Sequence, residues 1–233
     1  MQAFILVGGL GTRLRSVLGD MPKALAPVAG RPFLEYQLRL LRAHSITEVI
    51  LCTGYRGEEI QATIGNGQSL GLHIVYSQEP EPLGTAGALR HATPLVHGPF
   101  LVLNGDTYVE FDLAQLVTFH QARDAVVTIG LAHVDDPRRY GRVRTAPDGR
   151  VLAFVEKDAE LHPGESVSAG VYLCQPDLLS FIPARRAVSL EREVFPVLTS
   201  RRKLYATIIA DSFIDMGTPE GYRALQHLLA KAG

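Results

Sequence analysis

Apolar-rich runs of strand length punctuate the first half of the chain. Phe4–Val7, Val49–Thr53, Leu72–Tyr76 and Phe100–Leu103 have the composition of strands buried in a sheet. Between them, Leu34, Leu38 and Leu41 recur at helical spacing after Pro32, which suits a first helical position. Arg56–Ile64 reads as a short helix ended by Gly65-Asn66-Gly67. Thr85 is placed to cap a helix carrying Ala88, Leu89 and Ala92, and Asp112 to cap one carrying Leu113, Leu116, Val117 and His120. Strands alternating with helices predict an α/β fold, a parallel sheet with crossovers on both faces.

After a further strand at Val126–Ala132 the rhythm changes. Gly141–Arg144, Val151–Val155 and Ala169–Leu173 are short strands separated by turns such as Pro147-Asp148-Gly149, which predicts a mixed extension of the sheet. Leu190–Leu198 reads as helical and Leu204–Ile209 as a strand. Thr218-Pro219 then opens a terminal helix with Tyr222, Leu225 and Leu229 facing inward.

Composition narrows the class. At 233 residues, 46% apolar and with a formal charge of 23 − 24 = −1, the chain can bury a large core in one generous domain or two intimate ones. That balance points away from disorder and from electrostatic nucleic-acid binding, and towards a small partner. No apolar run nears membrane-spanning length and no export signal opens the chain, so no membrane association is expected. Cys52 and Cys174 sit inside apolar runs as small hydrophobes, the usage of a reducing cytoplasm.

The candidate chemistry is scattered along strand ends. Gly8-Gly9-Leu10-Gly11-Thr12-Arg13 follows the first strand, and the glycines allow close backbone approach to a phosphate or a nucleobase. A Rossmann fingerprint would need a glycine where Leu14 stands, and a Walker A loop would need Gly-Lys-Ser/Thr. Arg13 offers a bidentate fork and Lys23, after Pro22, a point charge, so the loop suits a polyanion. Gln78, Glu79 and Glu81 offer acceptors on a proline-stiffened loop that runs to Gly84, although each acid alone also fits a solvated surface. Asp106 follows an apolar central strand, where a carboxylate needs a cation, a hydrogen-bonding turn or a metal. Asp215 ends another apolar run, and Glu156-Lys157 follows a strand end, where a lysine reaches a cleft or simply solvent. His120 completes a core face. The histidines include no metal-spaced pair, and no Gly-x-Ser-x-Gly elbow occurs.

Taken in order, Gly8–Arg13, Pro22-Lys23, Leu83-Gly84-Thr85, Asn104-Gly105-Asp106, Glu156-Lys157 and Asp215-Met216-Gly217 resemble the sugar-1-phosphate nucleotidyltransferases over essentially the whole chain. The resemblance is strongest to the short D-glycero-D-manno-heptose 1-phosphate guanylyltransferases, with mannose-1-phosphate guanylyltransferases and N-acetylmuramate-1-phosphate uridylyltransferases next. It implies a Rossmann-like three-layer fold in a single domain, 1–125 for the nucleotide and 126–233 for the sugar phosphate. It also implies transfer of a nucleoside monophosphate from a nucleoside triphosphate to a sugar 1-phosphate, with Mg²⁺ as cofactor and pyrophosphate as the second product.

The same resemblance assigns roles residue by residue. Arg13 and Lys23 match the groups that hold the triphosphate, and Asp106 and Asp215 the pair that binds Mg²⁺. Lys157 matches the lysine on the sugar phosphate, with Glu156 at the sugar hydroxyls. Gly8, Gly9, Gly11 and Thr12 with Gln78, Glu79, Gly84 and Thr85 match the base and ribose pocket, and Tyr140 and Gly141 border the sugar. Ser168 stands where relatives often carry asparagine, a departure that bears on sugar identity. Glu79 and Glu81 favour guanine, whose adjacent N1–H and N2–H₂ donors suit a carboxylate. A homo-oligomer is a common arrangement for such enzymes, and a non-catalytic nucleotide-sensing subunit is the alternative of a different class.

Overall fold

The apolar runs become strands with the spacing the pattern predicts. The computed structural model describes residues 1–9, 11–134, 137, 140–155 and 165–230. Two compact units share the chain: Met1–Pro82 with Leu103–Tyr108 and Ile214–Gly233, and Leu83–Val102 with Val109–Phe213.

In the first unit, strand Gln2–Leu6 pairs in parallel with Glu48–Thr53, which pairs in parallel with His73–Gln78. Ala3, Phe4, Ile5, Leu51 and Cys52 are fully buried, as strands covered on both faces require. Helix Phe33–Ala43 buries Phe33, Leu34, Leu38 and Leu41. Each such side chain contributes about 1.5–3 kcal/mol by leaving water. Pro32 sits just before the first turn, at the cap position, one residue earlier than the sequence pattern suggests. The terminal helix Pro219–Ala230 buries Tyr222, Leu225 and Leu229, as expected from their spacing. They join Leu14, Ala26, Val28, Phe33, Tyr108 and Met216 in one apolar cluster.

In the second unit, strand Val127–Ala132 pairs antiparallel with Glu165–Cys174 and parallel with Leu204–Ala210. Arg142–Thr145 pairs antiparallel with Val151–Val155 and with the start of Glu165–Cys174. The register of Glu165–Cys174 slips between Ser168 and Val171, where Gly170 takes a φ of 68°, so the strand bulges beside Ser168. Parallel pairing in one unit and largely antiparallel pairing in the other give the mixed α/β architecture expected. Asp112 caps helix Leu113–Gln121 by accepting from the Gln115 amide at 2.9 Å. His120 is core, bonded to Thr128 and to Gln175 at 2.8 Å each.

Candidate active site

Four charged residues of the first unit are each mounted beside a buried apolar anchor. Arg13 precedes Leu14, Lys23 precedes Ala24 and Ala26, Asp106 lies two residues before Tyr108, and Asp215 precedes Met216. Leu14, Ala26, Tyr108 and Met216 belong to the one cluster described above. Residues far apart in sequence therefore present their charges from a common core.

The two carboxylates spring from one short ribbon. Strands Thr107–Tyr108 and Ile214–Asp215 pair antiparallel, with Asp215 opposite Thr107. The Met216 amide donates to the Asp106 carbonyl at 2.8 Å. Lys23 Nζ donates to Asp106 Oδ2 at 2.6 Å, and the Thr107 hydroxyl lies 3.4 Å from Oδ1. Burial on its own would raise the Asp106 pKa, but the Lys23 charge and hydrogen bond, helped by Arg13 and Thr107, leave it below the usual aspartate value. Asp106 is thus held as a carboxylate.

Gly217 is the point on which the charges converge. A Cβ built there would lie 2.7 Å from Asp215 Oδ1, 3.1 Å from Arg13 Nη2 and 3.5 Å from Lys23 Nζ. Its amide donates to Asp215 Oδ1 at 2.7 Å, which fixes that carboxylate's rotamer. Gly217 is thereby added to the candidate site; the sequence reading placed it in the Asp215-Met216-Gly217 motif and gave it no role of its own. The only sequence signal was its place after Asp215, because the clearance it provides is made by chain segments that meet only in the fold.

The glycine loop has a similar construction. Gly11 takes a φ of 60°, where its missing side chain also spares Lys23 Cβ, 3.3 Å from a built Cβ. A Cβ on Gly8 would lie 2.8 Å from Glu79 Oε1, and one on Gly54 would lie 2.9 Å from the Gly8 carbonyl oxygen. The Glu79 carboxylate therefore lies against bare Gly8 backbone, and Gly54 leaves the Gly8 carbonyl clear. Glu79 is half-buried, whereas Gln78, Glu81 and Gly9 are exposed. The Thr12 side chain, Glu156 and Lys157 lie outside the described residues.

In the second unit the Gly84–Thr85 expectation needs correction. Helix Gly84–His91 begins at Gly84, so Thr85 is inside its first turn and does not cap it. Its hydroxyl instead donates to Glu191 Oε2 at 3.0 Å and accepts from the Leu190 amide at 2.8 Å. The Val188 carbonyl accepts from the Ala86 and Gly87 amides at 2.9 and 3.3 Å, so the chain itself caps this helix. Gly84 is a glycine for its φ of 73° and because a Cβ would lie 2.6 Å from Val188 O. Ser168 is half-buried at the bulge, Tyr140 packs edge-on to Phe213 at 4.7 Å, and Gly141 clears the Phe154 ring, 2.9 Å from a built Cβ.

A family model for nucleotidyl transferases matches residues 2–232. The chain belongs to that family. It is 43% identical over 225 residues to a mannose-1-phosphate guanylyltransferase of Mycobacterium tuberculosis, covering 95% of this chain and 62% of that protein. The chain thus spans a little over three-fifths of the length of such curated relatives. Among solved structures, HddC from Yersinia pseudotuberculosis matches with a TM-score of 0.85 and 32% identity, covering 98% of this chain and 99% of that one. HddC complexed with GMP-PN matches at 0.83 and 31%, with the same coverage. The α/β fold is that of the nucleotidyl transferases.

No helix among the described residues is long and apolar enough to cross a membrane.

Proposed function

We propose that this chain transfers a guanylyl group from GTP to a sugar 1-phosphate and releases pyrophosphate. The observation that carries the reading is the convergence of Arg13, Lys23 and Asp215 on Gly217, with Asp106 paired to Lys23. Two polyanions must be brought together, and their mutual repulsion is the main obstacle. The sugar phosphate oxygen is already anionic and attacks the α-phosphorus without a general base. Arg13 and Lys23 meet the charge that develops on the departing pyrophosphate, for which Lys23 transfers from Asp106 to a phosphate oxygen.

Asp106 and Asp215 fit a divalent ion: both are hard oxygen donors on one ribbon, and Mg²⁺ commonly takes one or two carboxylates and fills its shell with phosphate oxygens and water. When bound there, Mg²⁺ neutralises phosphate charge and aligns the groups in line. Glu79 over Gly8 is the guanine reader in this scheme, supported by its position against bare backbone and by the relative solved with GMP-PN.

For the acceptor we infer a sugar of manno configuration. Mannose and D-glycero-D-manno-heptose share that ring, and the mannose-1-phosphate guanylyltransferase at 43% identity favours mannose over the heptose expected from the motifs. Tyr140, Gly141, Glu156, Lys157 and Ser168 are the residues assigned to it. The test is pyrophosphate release with four nucleoside triphosphates crossed against mannose, heptose, glucose and N-acetylmuramate 1-phosphates. GTP with a manno sugar should exceed every other pair, and Glu79→Gln should narrow the preference for GTP over UTP. Release with UTP and N-acetylmuramate 1-phosphate would replace this assignment, and no release with any pair would favour a sensing subunit.

A further inference from the structure

The apolar face of helix Phe33–Ala43 contains one polar side chain, Gln37, which is 1% exposed. Its Nε2 donates to the Asn104 carbonyl at 2.9 Å and to the Thr107 carbonyl at 2.8 Å. Those residues flank Gly105-Asp106, so a single amide group clamps both ends of the turn that presents Asp106. The middle of the turn is tied separately, by the Gly105 amide to the Leu6 carbonyl at 3.0 Å and by the Met216 amide to the Asp106 carbonyl.

Gln37 makes these bonds at a cost. Both amide hydrogens go to the turn, while Oε1 is buried without a partner among the described residues. A buried unpaired oxygen is destabilising, and leucine or methionine at this point of an apolar stripe would avoid it. Reversing the amide would aim Oε1 at two carbonyl oxygens, so the orientation is fixed by the turn. Asparagine is shorter by one methylene, and glutamate would bring a second oxygen to the carbonyls. The side-chain length, the donor pair and the uncompensated acceptor all serve the turn.

We propose that Gln37 is a positioning residue for Asp106: it holds the Asn104–Thr107 turn in the conformation that keeps the carboxylate on Lys23 and available to a divalent cation. This rests on reading Asp106 as a metal-holding residue of a nucleotidyltransferase.

The test uses Gln37→Met, which keeps length and apolar fit, and Gln37→Glu, which keeps size and polarity but removes the donors. Three quantities are read: hydrogen exchange at the Gly105 amide, Mn²⁺ affinity in the presence of GTP by electron paramagnetic resonance, and kcat and KM for pyrophosphate release. In both variants Gly105 exchange should accelerate while the amides of Glu48–Thr53 keep their protection. Mn²⁺ affinity should fall by about 10–100-fold, the usual loss when a supporting partner of a metal ligand is removed. kcat should fall with it, and the KM for sugar 1-phosphate should move by less than about threefold, since the loss lies in aligning charge rather than in binding sugar.

A lower melting temperature with Gly105 protection and Mn²⁺ affinity within twofold of the parent would make Gln37 a packing residue and overturn the proposal. Should the parent bind Mn²⁺ and GTP yet release no pyrophosphate, the functional reading fails. The exchange and Mn²⁺ measurements then still decide the role of Gln37.

Discussion

Each unit carries a carboxylate-centred cluster, and the two are satisfied in opposite ways. In the first unit, Asp106 is answered by the full charge of Lys23, and Asp215 shares the space around Gly217 with Arg13 and Lys23. In the second, Glu191 is answered by neutral hydroxyls: Thr85 at 3.0 Å, Ser189 at 2.9 Å and Tyr172 at 3.3 Å. It lies in a π-helical turn, Leu190–Val194, capped by Ser189. Ion pairs at a part-exposed site can exchange partners when phosphate arrives, because phosphate competes directly for the same cations. A carboxylate whose oxygens are taken by hydroxyls from three chain segments has little left to offer. On the proposed function the first cluster is the one that binds, whereas the second holds its surroundings in place.

The largest effect should follow from removing charge in the first cluster. Asp106→Asn and Asp215→Asn are each expected to lower kcat for pyrophosphate release by about 10²–10³-fold or more, the scale of losing one preorganised electrostatic contact. The melting temperature should stay within a few degrees. Near-normal turnover in either variant would remove that residue from the reacting centre. It would also make the two clusters equivalent.

Gly217→Ala should come next. Its Cβ would displace Asp215 Oδ1, at 2.7 Å, and Arg13 Nη2, at 3.1 Å, without any charge being lost. Misplacement of reacting groups by about 1 Å can cost 10²-fold, so a loss approaching that size is expected in kcat. Unchanged kinetics would show that the two side chains relax freely and that the convergence at Gly217 does not matter.

The contrast between the clusters also marks what was legible in the sequence. Arg13, Lys23, Asp106 and Asp215 stood out because charges among glycines and apolar strand ends require a physical reason. The longer strands and helices were equally plain, since their periodicities are local, but the short turns and the two-residue ribbon that carry these four charges were not. Gly217 and Gly54 were not legible as clearances, because the atoms they avoid come from distant segments. Thr85 looked like a cap because helix onset is read from local propensity, while the Val188 carbonyl that caps the helix lies 188 − 86 = 102 residues beyond the Ala86 amide it accepts from. Gln37 did leave a trace, as the polar interruption of the stripe formed by Leu34, Leu38 and Leu41.

Glu191→Gln should act on stability more than on chemistry. The three hydroxyls would then face an amide that accepts on one side only, which leaves at least one of them poorly paired. A loss of about 1 kcal/mol is expected for one such bond. For a chain of this size that lowers the melting temperature by about 2–4 °C. Turnover per folded molecule should change by only a fewfold. A loss of kcat as large as that for Asp215→Asn would mean that Glu191 touches substrate, and the contrast between the clusters would collapse.

The smallest effect, and the one that separates the units most cleanly, is on pH. His120 is buried with neutral partners: Gln175 Nε2 is a donor, so His120 Nε2 accepts, and Nδ1–H donates to Thr128. Burial lowers its pKa from the ordinary 6.5. The folded state thus refuses a proton that the unfolded chain accepts. Its contribution to stability is complete above about pH 6.5, falls as the pH drops below that value, and levels off once the folded form also titrates. Asp106 behaves as a depressed carboxylate. The stability it confers is present above its ordinary value of 3.8 and is lost as the pH falls from there through the lower folded value. Hydrogen exchange followed from pH 7.5 to 4.5 should therefore loosen the Thr128 and Gln175 amides first, while the Asp106–Met216 ribbon keeps its protection. His120→Gln should flatten the profile of the second unit alone. Simultaneous loosening of both units across that range would show that they unfold as one cooperative block and that His120 does not set the acid response of its unit.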